Sequence, residues 1–401
     1  MRILDVNSSY SPTGGGIRVY HERKLDYFSS GISENTSALA VPGRDDRLVS
    51  EGPPRVYHLR SMPLFGSGYR IILESGGLNS VVLDYRPDIV EVGSPYLLPS
   101  LARSALGKED IPVVGFYHTD FPDSYVGPYA SRLFPRRVAR MLYDTARAHA
   151  GRTYRAMTAV FAASRCMLWK LRELGVKRLF HTPLGVDVEQ FSPAARSEGF
   201  RRSMGVPEGG VLVLYMARFH WEKGLDRLIE AYPLFRDPGR IKLVIGGRGP
   251  HRRLVDEFIA RYPEVARLPY ITGREGVARA MASADVFLAL GQYETFGLAG
   301  LEAIACGTVT VFPDRGASAE MAESLGVLEP YRSESAESLA VSLAEAVKVS
   351  RRGVKEELRQ YAVSRHCWKD TFRRMEGFYE MILKARRDGD LDGLNPPGDW
   401  W

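Results

Sequence analysis

"ETFGLAGLE", Glu294 to Glu302, decides how this chain is read. Two carboxylates stand eight positions apart around an apolar run that carries a glycine. A helix turns about 100° per residue, so side chains eight apart are splayed by roughly 80° and do not share one face of a continuous helix. They converge if Glu294 sits in the loop after the strand-like run "DVFLAL" and Glu302 in the helix that follows. Gly297 then marks the helix entrance, and the amides of Phe296, Gly297 and Leu298 are placed to meet an anion. Carboxylates accept from sugar hydroxyls and amides donate to phosphate, so the segment suits a ligand that carries both. The plainer reading is acidic residues favouring a helix dipole. Leu298, Leu301 and Ile304 are core candidates under either reading.

Working outward, short β-rich runs alternate with helical patterns, the sequence form of parallel sheets joined by crossover helices. The strand candidates are "RILDVNSS", "TSALAVPG", "RVYHLRSM", "DIVEVGS", "IPVVGFYHT", "AVFAASR" and "RLFHTPLG", then "VLVLYMA", "IKLVIGG", "RLPYITG", "DVFLAL" and "TVTVFP". "KGLDRLIEAY" places Leu225, Leu228, Ile229 and Tyr232 on one helical face, and "HRRLVDEFIARY" does so with Leu254, Phe258 and Ile259. Between Gly185 and Gly210 turn residues and charge interrupt the rhythm, and a domain boundary is expected there.

Bulk properties agree with two domains. The chain has 401 residues, 45% of them hydrophobic, more than one core usually holds. Lys and Arg number 54 against 48 acids, an excess too mild for a dedicated nucleic-acid binder but compatible with anionic small molecules or an anionic membrane surface. Cys166, Cys306 and Cys367 are widely separated, which suggests neither a disulfide framework nor a zinc site and points to the cytoplasm. No apolar run is long enough to span a membrane.

Several other stretches could carry chemistry. In "SYSPTGGGIRVY", glycines 14 to 16 lie between a strand and a helix, where backbone can approach a phosphate; a tight turn explains them equally. The stretch lacks the spacing of a dinucleotide fingerprint. In "YMARFHWEKGLDRL", Arg218 leaves a strand and Lys223 opens the next helix, two cations at the carboxyl edge of a parallel sheet where a diphosphate is a natural match. The alternative is solvated surface charge. "VIGGRGP" supplies another glycine turn, explicable by close packing alone, with Arg248 reaching a ligand or only water. His118, in "FYHTDFP", ends a strand, and its neutral imidazole could serve a sugar hydroxyl or sit satisfied in the core. Asp388, Asp390, Asp392 and Gly393 resemble the opening of a calcium loop. Asp399 stands where the closing glutamate belongs and two prolines intervene, so a solvated tail is the simpler reading.

Taken together, these elements resemble the retaining GT-B glycosyltransferases of family 4, the glycosyl transferases group 1. Glu294 to Glu302 matches their E-x7-E signature, "ETFGLAGLEAIACGTVTV" is similar to its surroundings, and the order of glycine loop, Arg, Lys-Gly and two glutamates is the same. The likeness covers roughly residues 1 to 385. It implies two Rossmann-like α/β domains with parallel sheets facing a central cleft, the expected division being 1–190 for the acceptor domain, 191–365 for the donor domain, 366–386 for a C-terminal helix packing back on the first, and 387–401 for a tail. It further implies that Arg218 and Lys223 hold the donor diphosphate, Glu302 the ribose hydroxyls and Glu294 the transferred sugar. The Gly15–Gly16 backbone would face the phosphates, and His118 would lie near the donor sugar. Family members often have Pro-Ser before the first glutamate, where this chain has Leu290, Gly291, Gln292 and Tyr293, and a glycine where Ala217 precedes Arg218, which leaves the donor sugar open.

The function so implied is transfer of a hexose from a UDP- or GDP-sugar to an acceptor hydroxyl with retained configuration, with no divalent metal or other cofactor. Asp120 is a candidate for orienting the acceptor, and surface solvation is its plain alternative. "HTDFP" resembles the corresponding stretch of glycolipid-forming members, which favours a lipid or lipid-linked glycan as acceptor. Residues 132–156 carry Arg132, Arg136, Arg137, Arg140, Arg147, Arg152 and Arg155 against the single acid Asp144, a pattern that fits either an anionic membrane surface or an exposed helix. A cytoplasmic enzyme, peripheral on the inner face of the cell membrane, follows. Two rivals share the phosphate site: a GT-B-fold nucleotide-sugar epimerase, which needs no acceptor, and a non-catalytic nucleotide-sugar sensor.

Overall fold

A computed structural model describes residues 1–10, 14–50, 52, 54–63 and 70–394. Asp399, Trp400 and Trp401, and residues 11–13 of the first glycine stretch, lie outside the described residues. The chain forms two compact units, one from Met1–Pro183 with Lys369–Trp401 and the other from Leu184–Trp368. The crossing falls earlier than residue 190 because the two connecting segments run side by side within the second unit. Val186 N donates to His366 O at 2.9 Å, and a Cβ on Gly185 would come within 2.3 Å of the Trp368 backbone.

Strands of the first unit are β1 (Arg2–Val6), β2 (Thr36–Gly43), β3 (Arg47–Ser50), β4 (Arg55–Arg60), the short ladder β5 (Met62–Pro63) with β6 (Arg70–Ile71), β7 (Ile89–Val92), β8 (Val113–Phe116), β9 (Val160–Ala162) and β10 (Leu179–His181). Its main sheet runs β10-β9-β8-β7-β1-β2-β4-β3, parallel throughout except for β3 against β4. Helices cover the sheet, so its central strands are near-continuous apolar runs; all four residues of β7 and of β8 are buried. Strand β3 and the two-residue ladder are too short and polar to stand out in sequence.

The C-terminal helix Trp368–Arg387 belongs to this first unit, apart from its opening Trp368. Phe372, Met375, Phe378, Tyr379 and Ile382, spaced for one helical face, are all buried. Beneath them lies a charged centre. Lys24 Nζ is 2.6 Å from Asp5 Oδ1 and 3.2 Å from Glu91 Oε2, and donates to the Tyr379 hydroxyl at 2.8 Å. Tyr20 donates to Glu91 at 2.8 Å.

The second unit holds β11 (Val211–Met216), β12 (Ile241–Gly246), β13 (Ala266–Leu268), β14 (Val286–Leu288) and β15 (Val309–Val311), ordered β13-β12-β11-β14-β15 and parallel throughout. Helix Leu225–Phe235 buries Leu225, Leu228 and Tyr232 as its periodicity requires. In helix Arg252–Arg261 Leu254 is exposed, and Val255 takes the inward place beside Phe258.

Chain order reverses around the first strand of each sheet, between β1 and β7 and between β11 and β14. In open α/β sheets ligands bind beyond the carboxyl ends of strands at such points. Asn7 and Gly93 follow one pair; Arg218 and the Glu294 loop follow the other.

Candidate active site

In the second unit, β11 ends at Met216 and the chain passes Arg218 into a short turn, Trp221–Lys223. Gly224 is left-handed at φ 69°, and a Cβ there would fall 2.6 Å from both Cβ and O of Leu290. Glycine is therefore what lets the lysine turn pack against the segment that follows β14. Across this contact Lys223 Nζ lies 2.6 Å from Glu294 Oε1, each side chain more than a quarter exposed. Burial alone would lower the lysine's pKa, but Glu294 and Glu222 outweigh it and raise the value, while Arg218 opposes them weakly. Lys223 is a cation throughout the physiological range.

The Glu294 loop is fastened from several sides. Glu294 O accepts from Ala317 N at 3.2 Å, Gly291 O from Ser318 Oγ at 3.3 Å and Leu290 O from Tyr331 OH at 3.3 Å. Gly297, left-handed at φ 92°, then turns the chain into helix Leu298–Ala305. Glu294 thus sits in the loop and Glu302 in the helix, the division that convergence of the two carboxylates requires. Leu301 and Ile304 are fully buried and Leu298 half-buried. The Phe296 ring is also buried, edge-on to His366, so only its backbone is placed to serve a ligand. First-turn amides of this helix have no partner within the helix itself and make its entrance electropositive.

Glu302, its side chain only 12% exposed, meets a cation that the sequence did not bring forward. Arg274, the first residue of helix Arg274–Ser283, donates from Nη2 to Glu302 Oε1 at 3.0 Å and from Nε to Gln190 Oε1 at 3.1 Å, with its guanidinium 4.9 Å above the Phe191 ring. Each glutamate of the signature therefore has its own cation.

The glycines of "VIGGRGP" are accounted for by close approach. A Cβ on Gly247, at φ 132°, would fall 1.9 Å from Ala217 O, and one on Gly249 2.5 Å from Phe219 O. This turn braces residues 217–219 and so the backbone of Arg218. Arg248 itself stacks 3.9 Å above Tyr270.

In the first unit, Gly15 and Gly16 are exposed at the entrance of helix Gly16–Ser29, and a Cβ on Gly15 would meet nothing within 4 Å. Packing makes no demand for glycine at position 15. His118 follows β8, stacked on Phe116 at 4.2 Å and edge-on to Tyr20 at 4.8 Å. His21 lies 5.8 Å from it, and His21 Nε2 and Asn7 Nδ2 are 2.8 Å apart. A side chain on Gly93 would collide with Asn7 and press on His118. Burial pushes both histidines down to about 3, so both imidazoles are neutral at pH 7. Neither His21 nor Asn7 stands out in the sequence, although "DVN" at the end of the first strand and "YHERK" in the helix after the glycine loop both fall at the switch point.

Asp120 is almost fully buried and committed within its unit. Tyr117 OH donates to Oδ1 at 2.8 Å and Lys170 Nζ to Oδ2 at 2.6 Å; the same lysine also reaches Asp123. These bonds tie the turn after β8 to helix Arg165–Glu173 and give an acceptor-orienting role no support. Among the described residues no group of His, Cys, Asp or Glu has the arrangement of a metal site.

Two parallel switch-point sheets, a cation pair after β11 and the two glutamates after β14 define a class. Residues 35–190 match glycosyltransferase family 4 and residues 197–363 match glycosyl transferases group 1. The chain belongs to this family of GT-B glycosyltransferases and is a hexosyltransferase that uses a nucleotide sugar. It is 33% identical over 326 residues, 80% of its own length and 81% of the relative's, to the GDP-mannose-dependent alpha-(1-6)-phosphatidylinositol dimannoside mannosyltransferase of Mycobacterium tuberculosis. It is 27% identical over 329 residues, 79% of this chain and 73% of the relative, to a GDP-mannose-dependent alpha-mannosyltransferase of Corynebacterium glutamicum. Among solved structures, sucrose-phosphate synthase from Thermosynechococcus elongatus shares the fold at TM-score 0.78 and 18% identity, over 96% of this chain and 99% of that one. An Anabaena protein in complex with UDP and glucose does so at 0.66 and 16%, over 95% and 99%.

Proposed function

We propose that the chain transfers mannose from GDP-mannose to a hydroxyl of a lipid-anchored glycan of the phosphatidylinositol mannoside kind, retaining the anomeric configuration and needing no divalent metal. The observation that carries this is the set of cations and carboxylates after β11, β13 and β14, with Lys223 on Glu294 and Arg274 on Glu302. The donor and acceptor are supported by the relatives, whose names specify GDP-mannose and, in one case, a phosphatidylinositol dimannoside.

In this reading the second unit holds the donor. Arg218 and Lys223 take the diphosphate together with the amides at Phe296, Gly297 and Leu298, and Glu302 takes the ribose hydroxyls. Glu294 accepts from hydroxyls of the transferred sugar. As the glycosidic bond breaks, negative charge gathers on the leaving diphosphate, so fixed cations and amides bind the transition state more tightly than the ground state. The acceptor hydroxyl attacks the anomeric carbon on the face the diphosphate leaves and yields its proton to the departing phosphate oxygen. His118, held neutral by burial, serves the donor sugar as a hydrogen-bonding group rather than as an acid. Gly15 and Gly16, exposed at a helix entrance of the first unit, offer backbone to an anion. The enzyme works at the inner face of the cell membrane, and among the described residues no helix is long and apolar enough to cross it.

The experiment is nucleotide release from GDP-mannose, UDP-glucose and ADP-glucose by wild type and Glu294→Ala, with and without phosphatidylinositol mannosides. Release from GDP-mannose that rises with the lipid and fails in the variant supports the reading. A preference for UDP-glucose would replace the donor, and donor binding without turnover under any condition would replace transfer with sensing.

A further inference from the structure

The arginine-rich stretch carries more than charge. Helix Arg136–Arg155 turns Ala139, Tyr143, Ala146, Ala150 and Tyr154 toward its own unit; the alanines and Tyr154 are buried. On its exposed side the helix carries Val138 and Met141 three positions apart, and Phe134 precedes it in extended backbone. Phe134 is 47% exposed, Val138 37% and Met141 60%, and Leu133 beside them, at the end of helix Gly127–Leu133, is 70% exposed. Arg132, Arg136, Arg137 and Arg140 are interspersed with them along the chain, all exposed, and the last three line an open groove with Ser131 and Tyr143. The nearest acid on the helix, Asp144, is taken up by Arg140 at 3.0 Å.

Four exposed apolar side chains at one helical corner are unusual on a soluble surface. With exposed arginines among them in the chain, they match an anionic bilayer: phosphates meet the arginines while the apolar tips enter the acyl boundary. A neutral protein partner would leave the arginines unmatched, and an acidic one would leave the apolar side chains unused. We propose that the corner Leu133–Met141 is the surface by which this enzyme docks on an anionic lipid leaflet. The inference rests on the lipid-acceptor reading for its purpose but not for its physics.

The test is co-sedimentation of the full chain with phosphatidylcholine vesicles and with vesicles that also contain phosphatidylglycerol, at low and high salt. The variants are Arg136→Gln with Arg137→Gln, and Leu133→Ser with Phe134→Ser and Met141→Ser. All substituted side chains are exposed, so circular dichroism and GDP-mannose hydrolysis in detergent should match wild type. Wild type should bind the anionic vesicles and lose that binding with salt. The arginine variant should bind at least about tenfold more weakly. The serine variant should bind more weakly too, and its residual binding should be fully removed by salt. Equal binding by all three proteins, or no preference of wild type for anionic vesicles, overturns the proposal. Concentration-dependent dimerisation without lipid, abolished by the serine variant, overturns it in favour of self-association. Detergent-phase transfer tests the transferase reading separately and can fail or succeed on its own.

Discussion

Lys223 Nζ lies 2.6 Å from Glu294 Oε1, a bond that joins the turn after β11 to the loop after β14 across the point where the sheet order reverses. Burial would lower the pKa of the lysine in this pair, but the neighbouring glutamates raise it. A diphosphate brought to this place completes a three-part charge arrangement and gives the lysine a second anion to serve. Removing either partner therefore disturbs the other. Lys223→Met and Glu294→Gln are each expected to lower kcat/KM by about 10²- to 10³-fold, the scale of losing one preorganised charged contact. The double variant should be far less than multiplicatively worse, which steady-state kinetics on all four proteins would reveal.

Arg274 fixes Glu302 by one oxygen and is itself fixed by Gln190 and by the Phe191 ring. If Glu302 receives ribose hydroxyls, Arg274→Met should raise KM for the nucleotide sugar about tenfold with little change in kcat. It should also erode the preference for ribose over 2′-deoxyribose or 3′-deoxyribose donors. Glu302→Gln serves as the reference. If it alters that preference and Arg274→Met does not, Arg274 only stabilises the fold; if neither does, the ribose assignment is wrong.

His118 and His21 are depressed by burial to about 3, well below the ordinary histidine value. Between that ordinary value and pH 3 the unfolded chain binds protons that the native chain excludes. Stability is therefore fully present above about pH 6.5 and is lost progressively as pH falls toward 3. Thermal unfolding should show a midpoint that declines steadily from pH 7 to pH 4, and His118→Phe should flatten the decline. For the same reason the pH–rate profile between 6 and 8 should carry no limb that His118→Gln removes.

Lys24 is fully buried with two carboxylates, Asp5 and Glu91, and the Tyr379 hydroxyl. Lys24→Met leaves two buried acids facing each other without a cation. A cost of about 3–5 kcal/mol is expected, read by chemical denaturation. Tyr379→Phe removes the hydroxyl that accepts from Lys24 and donates to Glu91 and should cost only about 1–3 kcal/mol, because the shape of the C-terminal helix face is kept. A neutral result for Lys24→Met would mean that the cation does not hold this centre together.

Much of the fold is written locally. Twelve apolar runs each carry a strand, although in "RLPYITG" the strand Ala266–Leu268 only begins to overlap the run, and Leu254 misled because charged neighbours hid the true phase of its helix. The site is legible where chemistry and spacing coincide in one stretch: the two glutamates, and Arg218 with Lys223. It is illegible where a functional group owes its place to a partner distant in sequence. Arg274 reaches Glu302 across 28 positions, and Asn7 reaches His21 only because a helix returns over β1. Asp120, a candidate for orienting the acceptor, likewise takes its bond from Lys170, fifty positions away in the chain.

The sequence by itself determined the alternation of strands and helices, the division of "ETFGLAGLE" into a loop glutamate and a helix glutamate and the excess of arginine between residues 132 and 156, because each depends on neighbours within a few turns. Only the tertiary structure decided which cation each glutamate holds, that His118 is neutral, and that Leu133, Phe134, Val138 and Met141 are exposed among the arginines. Those outcomes depend on burial and on contacts between segments far apart in the chain. Strand order and helix packing set them, and no local pattern of residues records either.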